Sequence, residues 1–312
     1  MIDRAVSTVI DADKCIGCGL CAKVCPSETI SMQGDKAVVT GDHSLSCGHC
    51  AAVCPADAIT IHAIDPEASR FATFDADQRW LPHGEFSTAQ LVRLMASRRS
   101  CRNFKDKPVD RALLEDLLKI GATAPSGTNS QMWTFTILPT RESVIALGDQ
   151  VAAFFKRVNK LAEKGWLRNL LRWIGQSELF DYYRDYHQSV SEALTERESS
   201  SKDSLFHGAT AAIIVGSRPE GSTLKEDALL ATQNMLLAAH SMGLGTCLIG
   251  FAVIPMIKDI RVKRFLGIPD SENVLAVIAL GHPDEKYLKV AGRKKYVRRY
   301  FDHCRENGGC RP

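Results

Sequence analysis

The sequence has no apolar run approaching the ~18 residues that a bilayer-spanning helix requires, and residues 1–20 lack a signal-peptide core. Neither membrane insertion nor export is expected. It also has almost no net charge: 39 Lys and Arg against 36 Asp and Glu leave +3. That is too little to hold a polyanion, and no basic stripe with interleaved aromatics appears, so no nucleic-acid partner is expected. Missing as well is any G-x-G-x-x-G after a strand-like run, which argues against a Rossmann dinucleotide site. What remains is an ordinary soluble composition, 45% hydrophobic and 24% charged, in a chain of 312 residues. Typical domains hold about 100–200 residues, so two domains are expected.

Cysteine is distributed unevenly. Seven of the 11 lie between Cys15 and Cys54. Cys15-Ile16-Gly17-Cys18-Gly19-Leu20-Cys21-Ala22-Lys23-Val24-Cys25-Pro26 has the full C-x2-C-x2-C-x3-C-P spacing of a bacterial iron–sulfur loop. Two-residue gaps wrap three thiolates around one cubane face, while the intervening backbone N–H groups point at the sulfides. The fourth Cys, set off by a longer gap and Pro, projects to a second cluster. Zinc shares the C-x2-C spacing, but it needs only four ligands and leaves the third Cys and the paired Cys-Pro endings unexplained. Iron–sulfur is the preferred reading.

The second run, Cys47-Gly48-His49-Cys50-Ala51-Ala52-Val53-Cys54-Pro55, is one thiol short, because Ser44 stands where its first Cys belongs. Crossed ligation gives Cys15, Cys18, Cys21 and Cys54 to one 4Fe-4S cluster, and Cys25, Cys47 and Cys50 to the other. The last iron of the second is left to Ser44, Asp42, His43 or water, or is missing in a 3Fe-4S cluster. A single persisting cluster is the remaining alternative, and the sequence does not choose. A protein with oxygen-sensitive clusters and no export signal belongs in the cytoplasm. There Cys101, Cys247, Cys304 and Cys310 are expected as free thiols.

Residues 1–62 repeat internally: each half is a Cys loop followed by a short apolar strand, Cys25 to Ile30 and Cys54 to Ile59, with Gly34-Asp35 as a turn between strands. Over this length the chain resembles the two-cluster bacterial ferredoxins, whose clusters substitute for a core. Residues 63–86, with Pro66, Pro82 and Gly84, read as a surface linker. Ser87 to Gln90 fits a capping box ahead of Leu91, Leu94 and Met95. Asp110 caps a helix with an apolar face of Leu113, Leu114, Leu117 and Leu118, ended by Gly121. Strands are expected at 133–138, 211–216 and 274–280. Helices are expected at 144–161, at 227–242 closed by Gly243, and at 254–266 opened by Pro255. This alternation indicates an α/β or α+β second domain over residues 87–312. Trp166, Trp173, Tyr182, Tyr183 and Tyr186, in an insert at 150–205, read equally as a pocket wall or as ordinary packing.

Four stretches between residues 98 and 295 have the chemistry of a phosphorylated-ligand site. Arg98-Arg99-Ser100-Cys101-Arg102 offers guanidiniums and a hydroxyl for bidentate, charge-assisted bonds. The loop from Ala124 to Gln131 is dense in small hydrogen-bonding side chains, and Gly243 to Gly250 lets backbone approach a flat ligand. Arg293-Lys294-Lys295 adds positive charge. In this order and separation, with Gly281-His282-Pro283, these stretches resemble the FMN-dependent nitroreductase family over roughly residues 87–300. The resemblance implies an α+β homodimer with FMN at the subunit interface and C-terminal arms often exchanged between subunits. It implies that Arg98, Ser100 and Arg102 hold the phosphate and ribityl chain. Asn129 and Gln131 then hydrogen-bond the isoalloxazine or ribityl groups, with Ser126 a further cofactor contact in the same loop. Thr246, Leu248, Ile249 and Gly250 pass along the ring, mainly by backbone, and Arg293 and Lys295 reach the phosphate from the C-terminal arm. The family does not usually need a side-chain acid or base, so no catalytic residue is assigned. Cys101 and Cys247 are read as packing residues.

The combined expectation is an α+β protein, a small ferredoxin-like iron–sulfur domain followed by a nitroreductase-like flavin domain. Clusters move single electrons and FMN pools two, which gives the fusion a purpose. The expected function is reduction of a small electron-poor substrate of nitroaromatic, quinone or enone type. Electrons would pass from a ferredoxin or another donor through the clusters to FMN. One alternative has NAD(P)H reduce FMN directly while the clusters pass electrons outward. The other is a non-enzymatic electron carrier or redox sensor.

Overall fold

The computed structural model describes residues 4–200 and 202–301; Cys304 and Cys310 lie outside them. The cysteine-rich segment is built from β1 (Thr8–Ile10), α1 (Leu20–Val24), β2 (Ile30–Gln33), β3 (Lys36–Val39), α2 (His49–Ala52) and β4 (Ile59–Ile61). β1 pairs antiparallel with β4, and β2 with β3 through a turn that Gly34 makes at φ +63°. The internal repeat is visible in the backbone. Each short helix follows a glycine in the left-handed region, Gly19 at φ +73° and Gly48 at φ +80°. The core cluster is Cys21, Ile30, Ala37, Cys50, Ile59 and Ile61, and Ala58 is also buried. Two cysteines among six core residues is too little apolar volume to hold a domain without inserted groups.

Residues 66–69 form a 3-10 turn, and the chain then crosses the second unit's surface. α3 (Thr88–Ser97) starts at Ser87, whose hydroxyl accepts the Gln90 N–H, and α4 (Arg111–Gly121) starts at Asp110, which accepts from Ala112. After them come β5 (Trp133–Leu138), α5 (Arg141–Ala162), α6 (Gly165–Trp173), α7 (Glu178–Asp185), α8 (His187–Ser199), β6 (Ala211–Ser217) and α9 (Leu224–Ser241). The chain closes with β7 (Gly245–Leu248), α10 (Gly250–Lys258), α11 (Ile260–Phe265) and β8 (Asn273–Gly281). The sheet runs β5-β6-β8-β7 and is antiparallel throughout. Strand alternation feeds two cores. Ala212 and Ile214 join Val144, Val151 and Met256 on one face, whereas Ala211, Ile213 and Val215 join Leu114, Leu117 and Met235 on the other. A strand covered on both faces reads as a continuous apolar run, as residues 211–216 do.

One helix differs from the sequence reading. Residues 254–266 are not a single helix opened by Pro255. α10 begins at Gly250 and carries Pro255 as its sixth residue, where the missing N–H removes one i→i−4 bond from a short helix. Asp259, extended at φ −133°, then stops it and caps α11 by accepting the Arg261 N–H. The aromatic insert divides between its two readings. Trp166 and Trp173 are 67% and 84% exposed. Tyr182 is packed, stacking on Phe155 and donating its hydroxyl to Asn159 Oδ1 at 2.6 Å.

The segment after the cysteine unit is pinned by one buried carboxylate. Asp116 on α4 accepts the Ala72 and Thr73 N–H groups and the Thr73 hydroxyl, the last at 2.6 Å. Burial pushes its pKa up, but these bonds and the nearby Lys119 outweigh burial and hold it below the usual aspartate range. Asp116→Ala is expected to cost about 2–3 kcal/mol, the worth of hydrogen bonds to a buried charge. Limited trypsin digestion should then cut faster at Arg70 and Arg79. Because the native pKa is lowered, the contribution is full above the unfolded aspartate value and is lost as pH falls through the native one.

Candidate functional site

The cysteines line two small cavities. One is bordered by Cys15, Cys18, Cys21 and Cys54 with Ile10 and Ile59, the other by Cys25, Cys47 and Cys50 with Ser44 and Leu45. Each half of the repeat therefore lends its last cysteine to the other half's cavity. Backbone N–H groups aim at the sulfurs: Thr29 at Cys25 and Ala58 at Cys54, both at 3.3 Å, and Ala37 at Cys15 at 3.5 Å. The Ala37 N–H, with that of Gly17, lowers the Cys15 pKa. Burial acts against Cys25, yet hydrogen bonds from Thr29 and Ser27 bring it down. Burial pushes Cys21 and Cys50 up. No three Cys, His, Asp or Glu side chains among the described residues close around a single ion. That spacing suits a cubane, in which each thiolate binds its own iron, better than zinc. Asp42 and His43 border neither cavity and pair with each other at 3.0 Å in solvent.

The second site forms at the β7 edge. Ser100 makes a parallel bridge to Thr246, and the Cys101 N–H donates to the Thr246 carbonyl at 2.9 Å, so residues 98–102 run beside β7. Glu285 holds this segment from the other side, accepting the Arg102 N–H at 3.0 Å and the Asn103 amide at 2.8 Å. Arg98 is half-buried, and burial together with the charges of Arg99 and Arg293 pushes its guanidinium down. No ion pair among the described residues involves Arg98, Arg99, Arg102 or Arg293. Arg102 has the Glu285 carboxylate beside it, but Arg98, Arg99 and Arg293 are crowded without an ion-pair partner, and this suits an anion such as a phosphate monoester. Lys295 is exposed two residues beyond Arg293. Thr246 and Ile249 are buried, whereas Leu248 and Gly250 are exposed at the edge. Burial pushes the Cys101 and Cys247 thiols up, which suits packing rather than redox work. A Cβ on Gly245 would stand 2.8 Å from the Cys101 side chain, so the small residue permits this close approach.

The loop from Ser126 to Gln131 is held under strain. Thr128, Asn129 and Gln131 all lie in the left-handed region, at φ +53°, +55° and +48°. Buried Asp227 at the start of α9 fixes it, accepting the Gly127 N–H at 3.0 Å and lying 3.4 Å from the Ser130 hydroxyl. Ser126 Oγ accepts the Gln131 N–H. The Asn129 amide does not stand open to the β7 edge. It donates to the carbonyls of Leu45 and Ser46 at 2.9 and 3.2 Å, while its own oxygen accepts from Gln131 Nε2. Arg4 adds a second tie, donating to the Thr128 carbonyl and hydroxyl at 2.8 and 2.7 Å. Leu45 belongs to the wall of the second cysteine cavity. The sequence reading did not find Arg4, Leu45, Ser46 or Asp227 as site residues. Only Asp227, an acid in the first turn of a helix, carried any local signal.

A third cavity of about 220 Å³ lies between α5, α8 and α10, lined by Val151, Phe155, Val190, Leu194 and Phe251 with Arg197 at its border. Phe251 directly follows Gly250, so this apolar volume adjoins the end of the β7 segment.

Residues 95–282 match the family model described as the nitroreductase family, and residues 8–61 match that of a 4Fe-4S dicluster domain. A putative NADH dehydrogenase/NAD(P)H nitroreductase of Archaeoglobus fulgidus is 26% identical over 204 residues, 63% of this chain and 88% of that protein. The 4-nitrobenzoate reductase of Pseudomonas putida is 28% identical over 207 residues, 62% of this chain and 85% of that one. A solved nitroreductase with bound FMN from Bacteroides fragilis aligns at a TM-score of 0.47 and 25% identity, covering 67% of this chain and 95% of the other. The chain belongs to the nitroreductase family, with a 4Fe-4S dicluster domain ahead of the family's own fold.

Proposed function

We propose that the protein is an FMN-dependent oxidoreductase that reduces a small electron-poor substrate with electrons delivered through its clusters. The observation that carries this reading is the Asn129 amide, which joins the strained loop of the flavin unit to the Leu45–Ser46 carbonyls beside the second cysteine cavity. Clusters supply electrons singly, and bound FMN supplies the means to pool two and deliver a hydride equivalent. The protein's own residues bind and orient. Arg98 and Arg293 offer charge without an ion-pair partner to the phosphate, with Arg102, shared with Glu285, and the Ser100 hydroxyl beside them. Asp227 sets the shape of the 126–131 loop, within which Ser126, Asn129 and Gln131 bond to one another and to the cluster unit. Thr246 to Gly250 present the β7 edge, and Lys295 adds charge from the arm. The apolar cavity beyond Phe251 suits a planar, weakly polar substrate of nitroaromatic, quinone or enone type.

The active form in this reading is a homodimer. Val92 and Met95 on α3, Leu229 and Leu230 on α9, and Tyr296 and Val297 on the arm are exposed apolar side chains that a second copy would cover. No helix among the described residues is long and apolar enough to cross a membrane. The clusters favour the reducing cytoplasm.

Anaerobic stopped-flow mixing with a reduced ferredoxin tests the relay. Cluster and flavin absorbance should change in sequence. Asn129→Gly keeps the left-handed backbone but removes three side-chain hydrogen bonds, two of them to the cluster unit, and should slow the flavin phase about tenfold. Flavin that bleaches at the wild-type rate after Cys47→Ala has removed the second cluster would rule the relay out.

A second reading is favoured by the names of the relatives above, which include NAD(P)H nitroreductase. In it NAD(P)H reduces FMN directly and the clusters carry electrons outward. Fast bleaching by NADH or NADPH in the same apparatus selects it.

A further inference from the structure

The second cysteine cavity has a full set of four ligands only when an oxygen is counted. We propose that Ser44 is the fourth ligand of the second cluster, binding one iron through its deprotonated Oγ. The chain then holds one all-thiolate 4Fe-4S cluster and one with three thiolates and an alkoxide.

Position comes first. Ser44 stands three residues before Cys47, as Cys15 stands three before Cys18, and it borders the cavity of Cys25, Cys47 and Cys50 as Cys15 borders the other. The other polar residues of that wall fall elsewhere in the repeat. Ser27, Thr29 and His49 occupy the places of Ala56, Ala58 and Leu20, none of them a ligand, the Thr29 hydroxyl donates to the His43 carbonyl at 2.7 Å, and Thr8 lies in β1 opposite Ile61. Asp42 and His43 border neither cavity, and their side chains, 99% and 60% exposed, pair with each other.

Chemistry agrees with position. Ser44 is anchored by its N–H, which donates to the Arg4 carbonyl at 2.9 Å. Its Oγ accepts the Ser46 N–H at 3.0 Å, the kind of bond that Cys15, Cys25 and Cys54 sulfurs accept from Ala37, Thr29 and Ala58. A backbone donor stabilises negative charge on oxygen as it does on sulfur. On binding, the Ser44 O–H gives its proton to solvent while the Fe–O bond forms and a water leaves the iron; no electron moves. The harder oxygen donor favours ferric iron, so the second cluster's potential lies below that of an all-thiolate equivalent.

The test is anaerobic reconstitution of the full chain with iron and sulfide quantitation, EPR and a redox titration, none of which depends on flavin or on the direction of electron flow. Wild type should hold about eight irons without a 3Fe signal. Ser44→Ala should lose one iron per chain and show the 3Fe signal. Ser44→Cys should keep the iron count and raise the potential of one cluster. A wild type one iron short with a 3Fe signal, or Ser44→Ala indistinguishable from wild type, overturns the proposal. Should Ser44→Ala bind no cluster at all, Ser44→Cys decides. An unchanged count with a raised potential supports alkoxide ligation, whereas a gained iron or an unmoved potential refutes it.

Discussion

Arg98→Ala should purify depleted of flavin, with FMN affinity reduced about 10- to 100-fold. A charge-assisted contact to phosphate is worth about 1.5–3 kcal/mol, and each 1.4 kcal/mol is tenfold in Kd. The starting charge distribution gives this prediction a second arm. Burial and the like charges of Arg99 and Arg293 already disfavour the Arg98 guanidinium without a ligand. Removing it should leave the flavin-free protein as stable as wild type or slightly more so, while the stabilisation gained on adding FMN falls. A residue that merely packed would lower both. Arg98→Lys should recover part of the affinity, since it keeps the charge and loses the planar fork. Fluorescence quenching of FMN gives the Kd, and thermal unfolding with and without flavin separates the arms. Wild-type affinity in Arg98→Ala would remove the phosphate site from the β7 edge.

Gly17→Ala should abolish the first cluster and with it most of the structure of residues 1–62. Gly17 sits at φ +72°, and a Cβ built there overlaps the Asp35 carbonyl oxygen in the β2–β3 turn. The obstacle is backbone and cannot rotate aside. The neighbouring Lys36 ammonium bonds the Cys15 carbonyl at 2.6 Å, so moving the turn also moves a ligand. Gly34→Ala is the matched control. Its φ of +63° carries the same conformational cost of about 1 kcal/mol, but nothing lies within 4 Å of the added methyl. Iron content should fall by half or more in the first variant and stay near wild type in the second. Equal iron in both would show that strain alone, rather than overlap, is tolerated or not at these turns.

The sequence made the cysteine cavities legible because cluster ligation is a local constraint: two-residue gaps and left-handed glycines fix three sulfurs within seven residues. β6 was equally plain, since burial on both faces leaves a continuous apolar run. Pro255 misled because proline is a strong signal for a helix start, whereas here it sits inside α10 at the loss of one helical hydrogen bond. α6 does carry Trp166, Leu170 and Trp173 at helical spacing, but it and α7 are only nine and eight residues long and bury no residue, so neither stood out as a core element. Least legible was the junction. Asn129 and Leu45 are 84 residues apart, and neither the amide nor the carbonyl it reaches has a periodic or compositional signature. The loop's left-handed residues are Thr, Asn and Gln, where sequence rules look for glycine.

Arg4 binds at both ends: its carbonyl accepts the Ser44 N–H, and its guanidinium reaches Thr128. Arg4 thus acts as a strap across two segments 40 and 124 positions later. In practical terms, an affinity tag on Met1 enters three residues from that strap. Preparations tagged there and preparations tagged elsewhere should be compared before any inter-unit electron-transfer rate is taken as the protein's own.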